Sequence, residues 1–388
     1  MALAAAHFDA LTTNRSATLS TPAADKASTP TFTDSSGYSD TEKSDSPQET
    51  DQDAAPAHQN VEPAPTKQKR DWRPKSTWWM KQRSEMTWQE KLMSRHGIMH
   101  DAYYEKPPAG AERGPVPKHN VLREHLYILS RASFAPVVQQ LYYWAFPGQT
   151  WATPFAWTVY WLSFTFFAIG CIYGVLDPSI GRDRVADKDI GQLTRGFFHF
   201  LIGRTLGEFI LRWNKHELPA QNFNWDFPLR AVAFLIVMDY FFYVYHRSCH
   251  EIDFLWKIHS RHHQTKHPNP VLSILAGDIQ EVIEISLVPL CAAMIVPMTF
   301  HETYLMICYC TYVEIFGHTG IRADWPLPIA GPVLAPFGLD LIIEDHDLHH
   351  RYGKSGRNYG KQTRVWDVIF GTTCPREEMA NMPGHRAY

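Results

Sequence analysis

Residues 155 to 176 read FAWTVYWLSFTFFAIGCIYGVL, a run without a single charge. As a helix rising about 1.5 Å per residue it is long enough to cross roughly 30 Å of hydrocarbon. In lipid, only helices and closed barrels satisfy their own backbone groups, so this run commits the chain to membrane-spanning helices. Three more apolar runs follow: LRAVAFLIVMDYFFYVY at 229 to 245, with Asp239 inside it, VIEISLVPLCAAMIVPMTF at 282 to 300, and TYLMICYCTYVEIFG at 303 to 317. Only His301 and Glu302 separate the last two, which reads as a tight helical hairpin. GFFHFLIGRTLGEFILRW, 196 to 213, contains His199, Arg204 and Glu208. Arg204 and Glu208 stand one turn apart and can pair, but charges at the bilayer centre are costly, so this run is placed in the interface. About four transmembrane helices result, and every histidine cluster falls, by parity, on one membrane face together with the N-terminal tail. WPLPIAGPVLAPFGLDLII, 325 to 343, is apolar but broken by Pro and Gly, and is read as surface-lying or re-entrant.

The formal net charge of -3 averages over opposed segments. Residues 1 to 66 are acidic and rich in Ser, Thr and Pro, too poor in apolar side chains to offset chain entropy, and are expected to be disordered. Residues 67 to 150 open with a basic stretch in which Trp72, Trp78, Trp79 and Trp88 alternate with Lys and Arg, a composition suited to a membrane interface. No nucleic-acid motif accompanies it, so no nucleic-acid partner is expected. Residues 151 to 375 hold the apolar runs and form the expected transmembrane domain, and 376 to 388 a short tail. The six cysteines show no C-x-x-C pair or framework spacing and are read as reduced, packed thiols.

The second constraint is histidine placement. His246 and His250 stand at i, i+4, directly after the 229 to 245 run. His259, His262 and His263 follow at i, i+3, i+4, and His346, His349 and His350 repeat that spacing in HDLHH. Such offsets put imidazoles on one helix face. Eight histidines so arranged beside a membrane call for a counter-charge or a metal; a pH switch would explain the residue type but not the repeated spacing. A single structural zinc closes with four ligands, so the number suits two metals, and imidazole suits iron, zinc or copper. His318, one turn after Glu314 in VEIFGHTG, is a ninth candidate ligand. Glu314, Asp239 seven residues before His246, and the pair Asp278 and Glu281 in AGDIQE are candidates for carboxylates that orient imidazoles. His267 is a weaker candidate ligand, and the remaining histidines lack box spacing.

HRSCH, HSRHH and HDLHH, in that order, resemble the three histidine boxes of the fatty acid hydroxylase and sterol desaturase superfamily. NYGKQTRVWDVIFGTT, 358 to 373, is similar to the family's ending. The resemblance covers residues 229 to about 375. It implies an all-α integral membrane enzyme with a cytosolic histidine-rich helical cap, in the endoplasmic reticulum, its N-terminus, boxes and C-terminus facing the cytosol. It further implies two iron ions, O2 as co-substrate, and electrons from NAD(P)H through cytochrome b5 or a reductase. The expected reaction is hydroxylation or desaturation of an apolar lipid such as a sterol, sphingoid base or fatty acyl chain. The alternative is a non-catalytic metal-binding membrane protein acting in lipid sensing or scaffolding. Relatives carry a further histidine where this chain reads AGDIQE, and some carry one at Glu314. Either a carboxylate replaces that ligand or one metal has a smaller imidazole shell. Oligomeric state is open.

Overall fold

A computed structural model describes residues 75 to 96, 114 to 173, 181 to 324 and 327 to 379. The acidic tail 1 to 66 and Trp72 lie outside the described residues. Among those described, the chain is helical, and no strand forms beyond one isolated bridge between Lys118 and Asp324.

The helices are α1 (Trp88–His96), α2 (Val121–Ala132), α3 (Phe134–Ala145) and α4 (Ala152–Tyr173), the last built from the uncharged run. Next, α5 (Ile190–Phe198) continues through a π turn, His199–Gly203, into α6 (Arg204–Arg212). The first histidine box forms the last two turns of α7 (Phe227–Glu251), and the chain then reverses at Ile252 into α8 (Asp253–His259). A second π turn, Ile283–Leu287, joins α9 (Asp278–Val282) to α10 (Val288–Ile295). The long helix α11 (Phe300–Gly317), the box helix α12 (Ile343–Tyr352) and the short α13 (Val365–Ile369) follow, with the one-turn helices Pro219–Asn222 and Ala330–Leu334 in the connections before α7 and α12.

Two helices, Ala152–Ile172 and Phe227–Glu251, are long and apolar enough to cross a membrane. Both lie where two of the four expected spans were placed. The other two do not follow from length and hydropathy. Run 282 to 300 is divided by the π turn and stops at Ile295, two residues before Pro297. Helix α11 is buried on nearly every side, with its polar Thr303, Thr311 and two cysteines inside, which makes it the central helix of the bundle. Outward-facing apolar residues include Phe166 at 70%, Leu211 at 80%, Leu229 at 74% and Met294 at 70% exposure, more than a water-facing surface tolerates, and they suit lipid contact.

The expected hairpin turn at His301 and Glu302 falls earlier, at 296 to 299. Thr299 caps α11, accepting from the Glu302 N–H at 3.2 Å while the Glu302 carboxylate accepts from the Thr299 N–H at 3.0 Å. That capping box draws both residues into the first turn. Glu302 also accepts two hydrogen bonds from Arg230, tying α11 to the start of α7. Arg204 and Glu208, whose spacing allows an ion pair, do not form one; Glu208 lies 3.9 Å from Arg212 instead. Trp78, expected at a membrane interface, is buried, because its indole N–H finds the Val185 carbonyl at 2.8 Å within the protein. The six cysteines are free, and five are buried.

Candidate metal centre

The return of α8 along α7, and the docking of α12 beside both, bring the nine predicted histidines into two adjoining groups. One comprises His246, His250, His259, His263 and His349; the other His262, His318, His346 and His350. All nine are buried, and within each group the inward-facing ring nitrogens lie within 4.8 Å of one another. The division follows from spacing. In both three-histidine boxes the i, i+4 pair goes to one group and the i+3 histidine to the other: His259 and His263 against His262, His346 and His350 against His349. On α12 positions i+3 and i+4 fall on opposite sides of a helix stripe, and His262 and His263, on the 3-10 turn His262–Gln264 just after α8, part in the same way, so one box serves two sites.

The orientation of the rings tests whether these residues suit a cation. A carbonyl only accepts, so an imidazole Nδ1 facing one must carry the proton. This fixes His246 on Tyr359 O at 2.8 Å, His250 on Lys354 O at 3.1 Å, and His349 on Arg357 O at 2.8 Å. In the second group it fixes His262 on Leu275 O at 3.3 Å, His318 on Glu314 O at 2.6 Å, and His350 on Thr265 O at 3.3 Å. Their Nε2 atoms therefore present lone pairs. His262 and His318 point two such lone pairs at each other across 3.3 Å, and the Nε2 atoms of His250 and His350 are buried with no partner. Neutral rings would repel in this arrangement, and burial works against a proton between them. A metal ion resolves it: nitrogens about 2.1 Å from a common ion stand roughly 2.9 to 3.4 Å apart at ordinary angles. The Nε2 contacts run from 2.9 Å for His246 with His259 to 3.3 Å for His262 with His318. The donor set fits a metal in each group.

The carboxylates singled out from sequence do other work. Asp239 touches no imidazole. Its oxygens accept the N–H groups of Lys361, Gln362 and Thr363 and the Thr363 hydroxyl, fixing the loop whose Tyr359 carbonyl holds His246. Asp367, in the W-D element, clamps the same loop through the N–H groups of Tyr359 and Gly360. No side chain fits at Gly360, where a Cβ would meet Thr363 O at 2.4 Å and Asp367 Oδ2 at 2.9 Å. Asp278 and Glu281 face α5, toward Gln192 and His199, rather than the nine histidines. Of these carboxylates Glu314 alone lies beside one of the nine imidazoles, its Oε1 3.6 Å from His318 Nδ1. His267 lies outside both groups, 3.7 Å from Asp347, which pairs with the buried Arg182.

Beside the imidazoles runs a cleft with about 770 Å³ of empty space, part of it open to the outside, whose wall includes Phe200, Met238, Phe242, Ile285 and Val288. Its inner end holds Glu284, Glu314 and Lys361. The Lys361 ammonium sits 2.5 Å from Glu314 and 3.7 Å from Glu284, and Glu284 reaches within 3.9 Å of His259 Nδ1. Sequence reading missed both Glu284 and Lys361. A carboxylate inside an apolar run was the available signal for Glu284, whereas nothing local marks Lys361.

Residues 231–372 match the family model for fatty acid hydroxylases, a stretch that contains all nine histidines. Residues 231–372 are thus a domain of the fatty acid hydroxylase type. A fatty acid hydroxylase of Lecanicillium sp is 43% identical over 150 residues, 37% of this chain and 41% of the relative. An alkylglycerol monooxygenase of Caenorhabditis elegans is 25% identical over 56% of this chain and 41% of its own length. A cholesterol 25-hydroxylase-like protein of Danio rerio is 28% identical over 38% of this chain and 55% of its own. The chain thus spans about two-fifths to just over half of these relatives. No solved structure matches it.

In this hydroxylase-family domain, burial holds the imidazoles well below the usual histidine range. For His259, His262, His263, His346, His349 and His350 burial is the largest cause, with neighbouring imidazoles or Lys361 adding to it; His318 falls to about 3, through burial and then Lys361. The folded protein therefore binds fewer protons than the unfolded chain once pH drops below about 6.5. These imidazoles are expected to make the metal-free protein lose stability as pH falls below that value. Thermal melts of chelator-treated protein between pH 8 and 5 check this. A melting temperature that rises on acidification contradicts it.

Proposed function

We propose that the chain is a membrane-bound oxygenase that hydroxylates an apolar lipid, with two iron ions held by the two histidine groups. The opposed Nε2 lone pairs of His262 and His318, buried beside an apolar cleft, carry this reading. Bound iron would supply the activation of O2, which needs two electrons and two protons per turnover, so that one oxygen atom enters the substrate C–H bond and the other leaves as water.

The protein's own residues do the rest. Carbonyls of Tyr359, Lys354, Arg357, Leu275, Glu314 and Thr265 hold six rings in the tautomer that leaves Nε2 free. Phe200, Met238, Phe242, Ile285 and Val288 offer the substrate chain an apolar wall that keeps water from the reacting carbon. The Lys361 ammonium, between Glu284 and Glu314, keeps the inner end of the cleft polar next to His259 and His318. The hydroxylase and monooxygenase names of the relatives favour oxygen insertion over desaturation. The apolar helices support a membrane location. Four spans, the endoplasmic reticulum, a cytosolic centre and electrons from NAD(P)H through cytochrome b5 or a reductase form the rest of the proposal.

Full-length chain in lipid nanodiscs, analysed for metal and for oxygen uptake with a chemical reductant, is expected to hold two irons. It should consume oxygen only when a lipid substrate is present, with product heavier by one oxygen atom. Protein that holds zinc alone and shows no lipid-dependent uptake would instead support the lipid-sensing alternative.

A further inference from the structure

The charged groups of the cleft are not equally satisfied. Glu314 and Glu284 share Lys361, Glu284 also accepts from Gln280 at 2.9 Å, and one oxygen of Glu281 lies 3.4 Å from His199 while the other is buried without a donor. Arg204 has nothing. Its Nε is buried without an acceptor, and its guanidinium makes no hydrogen bond or ion pair among the described residues. None of the three glutamates lies within ion-pair distance, and Glu208, one turn away, is turned toward Arg212. An unpaired guanidinium among apolar side chains at a lipid-facing segment is costly, and such residues usually mark a ligand path.

The backbone places it there. Arg204 is the first residue after the π turn His199–Gly203, and Glu284 lies within the π turn Ile283–Leu287; both side chains line the cleft. A π turn shifts the helix face by one residue, and two of them flanking one cavity aim polar side chains into it. The same cleft is lined by Phe200, Met238, Phe242, Ile285 and Val288, which give it a largely apolar wall. Arg204 also lies outside residues 231–372, the stretch matched to the family. A residue that lines the substrate space but stands apart from the matched region is well placed to set which substrate is taken.

We propose that Arg204 selects the substrate by its polar end. It receives an anionic head group, carboxylate or phosphate, through charge-assisted hydrogen bonds, while the attached hydrocarbon lies along the apolar wall toward the imidazoles. This rests on the oxygenase reading for the direction of the chain but not for the binding itself.

The test is equilibrium binding of radiolabelled lipids to full-length protein in phosphatidylcholine nanodiscs without reductant, corrected for uptake by empty discs. The probes are hexadecanoate against its methyl ester, and hexadecyl phosphate against hexadecanol; whichever anion wins identifies the head group. Wild type is expected to bind one anion about tenfold or more tightly than its neutral counterpart. Arg204→Gln should erase that preference and leave neutral binding within about twofold, while Arg204→Lys keeps part of it. Equal binding of anion and neutral lipid by wild type overturns the proposal, and so does an equal loss of both in Arg204→Gln. The wild-type comparison decides even where the Gln variant fails to fold. Head-group selectivity without any turnover would sink only the oxygenase reading, whereas turnover without selectivity would sink only this one.

Discussion

His262→Ala is expected to lower bound iron from two to about one per chain and to reduce lipid hydroxylation at least a hundredfold. His262 belongs to the smaller group, where four imidazoles meet and nothing else on the described chain supplies a fifth nitrogen. Its removal leaves three and opens one face of the site, a larger loss than the ten- to hundredfold penalty typical of an outer partner. His318→Ala, from the same group, should give the same stoichiometry. His267→Ala should not: His267 follows the second box by four residues in sequence, yet its ring lies near Asp347 rather than in either group. Iron analysis on the three purified variants, each with a melting curve, checks the assignment. Two irons in His262→Ala, or loss in His267→Ala equal to that in His262→Ala, would falsify the grouping.

The contrast between His262 and His267 marks what the sequence could carry. Offsets of three and four residues are local geometry, so the boxes could be found by spacing, and nearness to an apolar run placed them at the end of a helix. The sorting of each box between two groups was also latent in those offsets. It becomes legible only when α8 and α12 face each other, because a stripe has two sides only relative to a partner. Lys361 shows the opposite case. It lies in an irregular loop after NYG, and its meeting with Glu314 and Glu284 depends on how that loop docks against α7 and α11. Spacing is silent there. The spans show a third kind of outcome. An uncharged run can be read as a helix, and both Ala152–Ile172 and Phe227–Glu251 are of that kind. An apolar run such as 303 to 317 can equally fill the middle of a bundle, and hydropathy cannot separate lipid from protein as the surrounding solvent. Trp78 makes the same point in small, since an indole that suits a membrane interface suits a buried carbonyl equally well.

Asp239→Asn is expected to destabilise the protein by about 3 kcal/mol or more and to strip metal from the five-histidine group first. The carboxylate is fully buried in α7 and accepts four hydrogen bonds, at 2.7, 2.9, 3.1 and 2.6 Å, while donating none. An amide keeps one acceptor oxygen and turns an NH2 toward groups that already donate. Up to two backbone N–H groups then lie buried without acceptors, at roughly 1 to 3 kcal/mol each. The damage is directed. The loop released at Lys361 to Thr363 is the one that presents Tyr359 O to His246 Nδ1, and Gly360 is packed too closely for the loop to settle elsewhere. With that carbonyl displaced, His246 loses the contact that fixes its tautomer, while the carbonyls of Leu275, Glu314 and Thr265, which hold three of the four rings in the other group, belong to other segments. A role in stability alone would lower the melting temperature and leave both irons bound below it. The orienting role predicts about one iron per chain at a temperature where Asp239→Asn is still folded, retained by His262, His318, His346 and His350, with weaker rebinding of a second equivalent at His246, His250, His259, His263 and His349. Two tightly bound irons in a folded Asp239→Asn would reduce Asp239 to a buried anchor with no part in the metal centre.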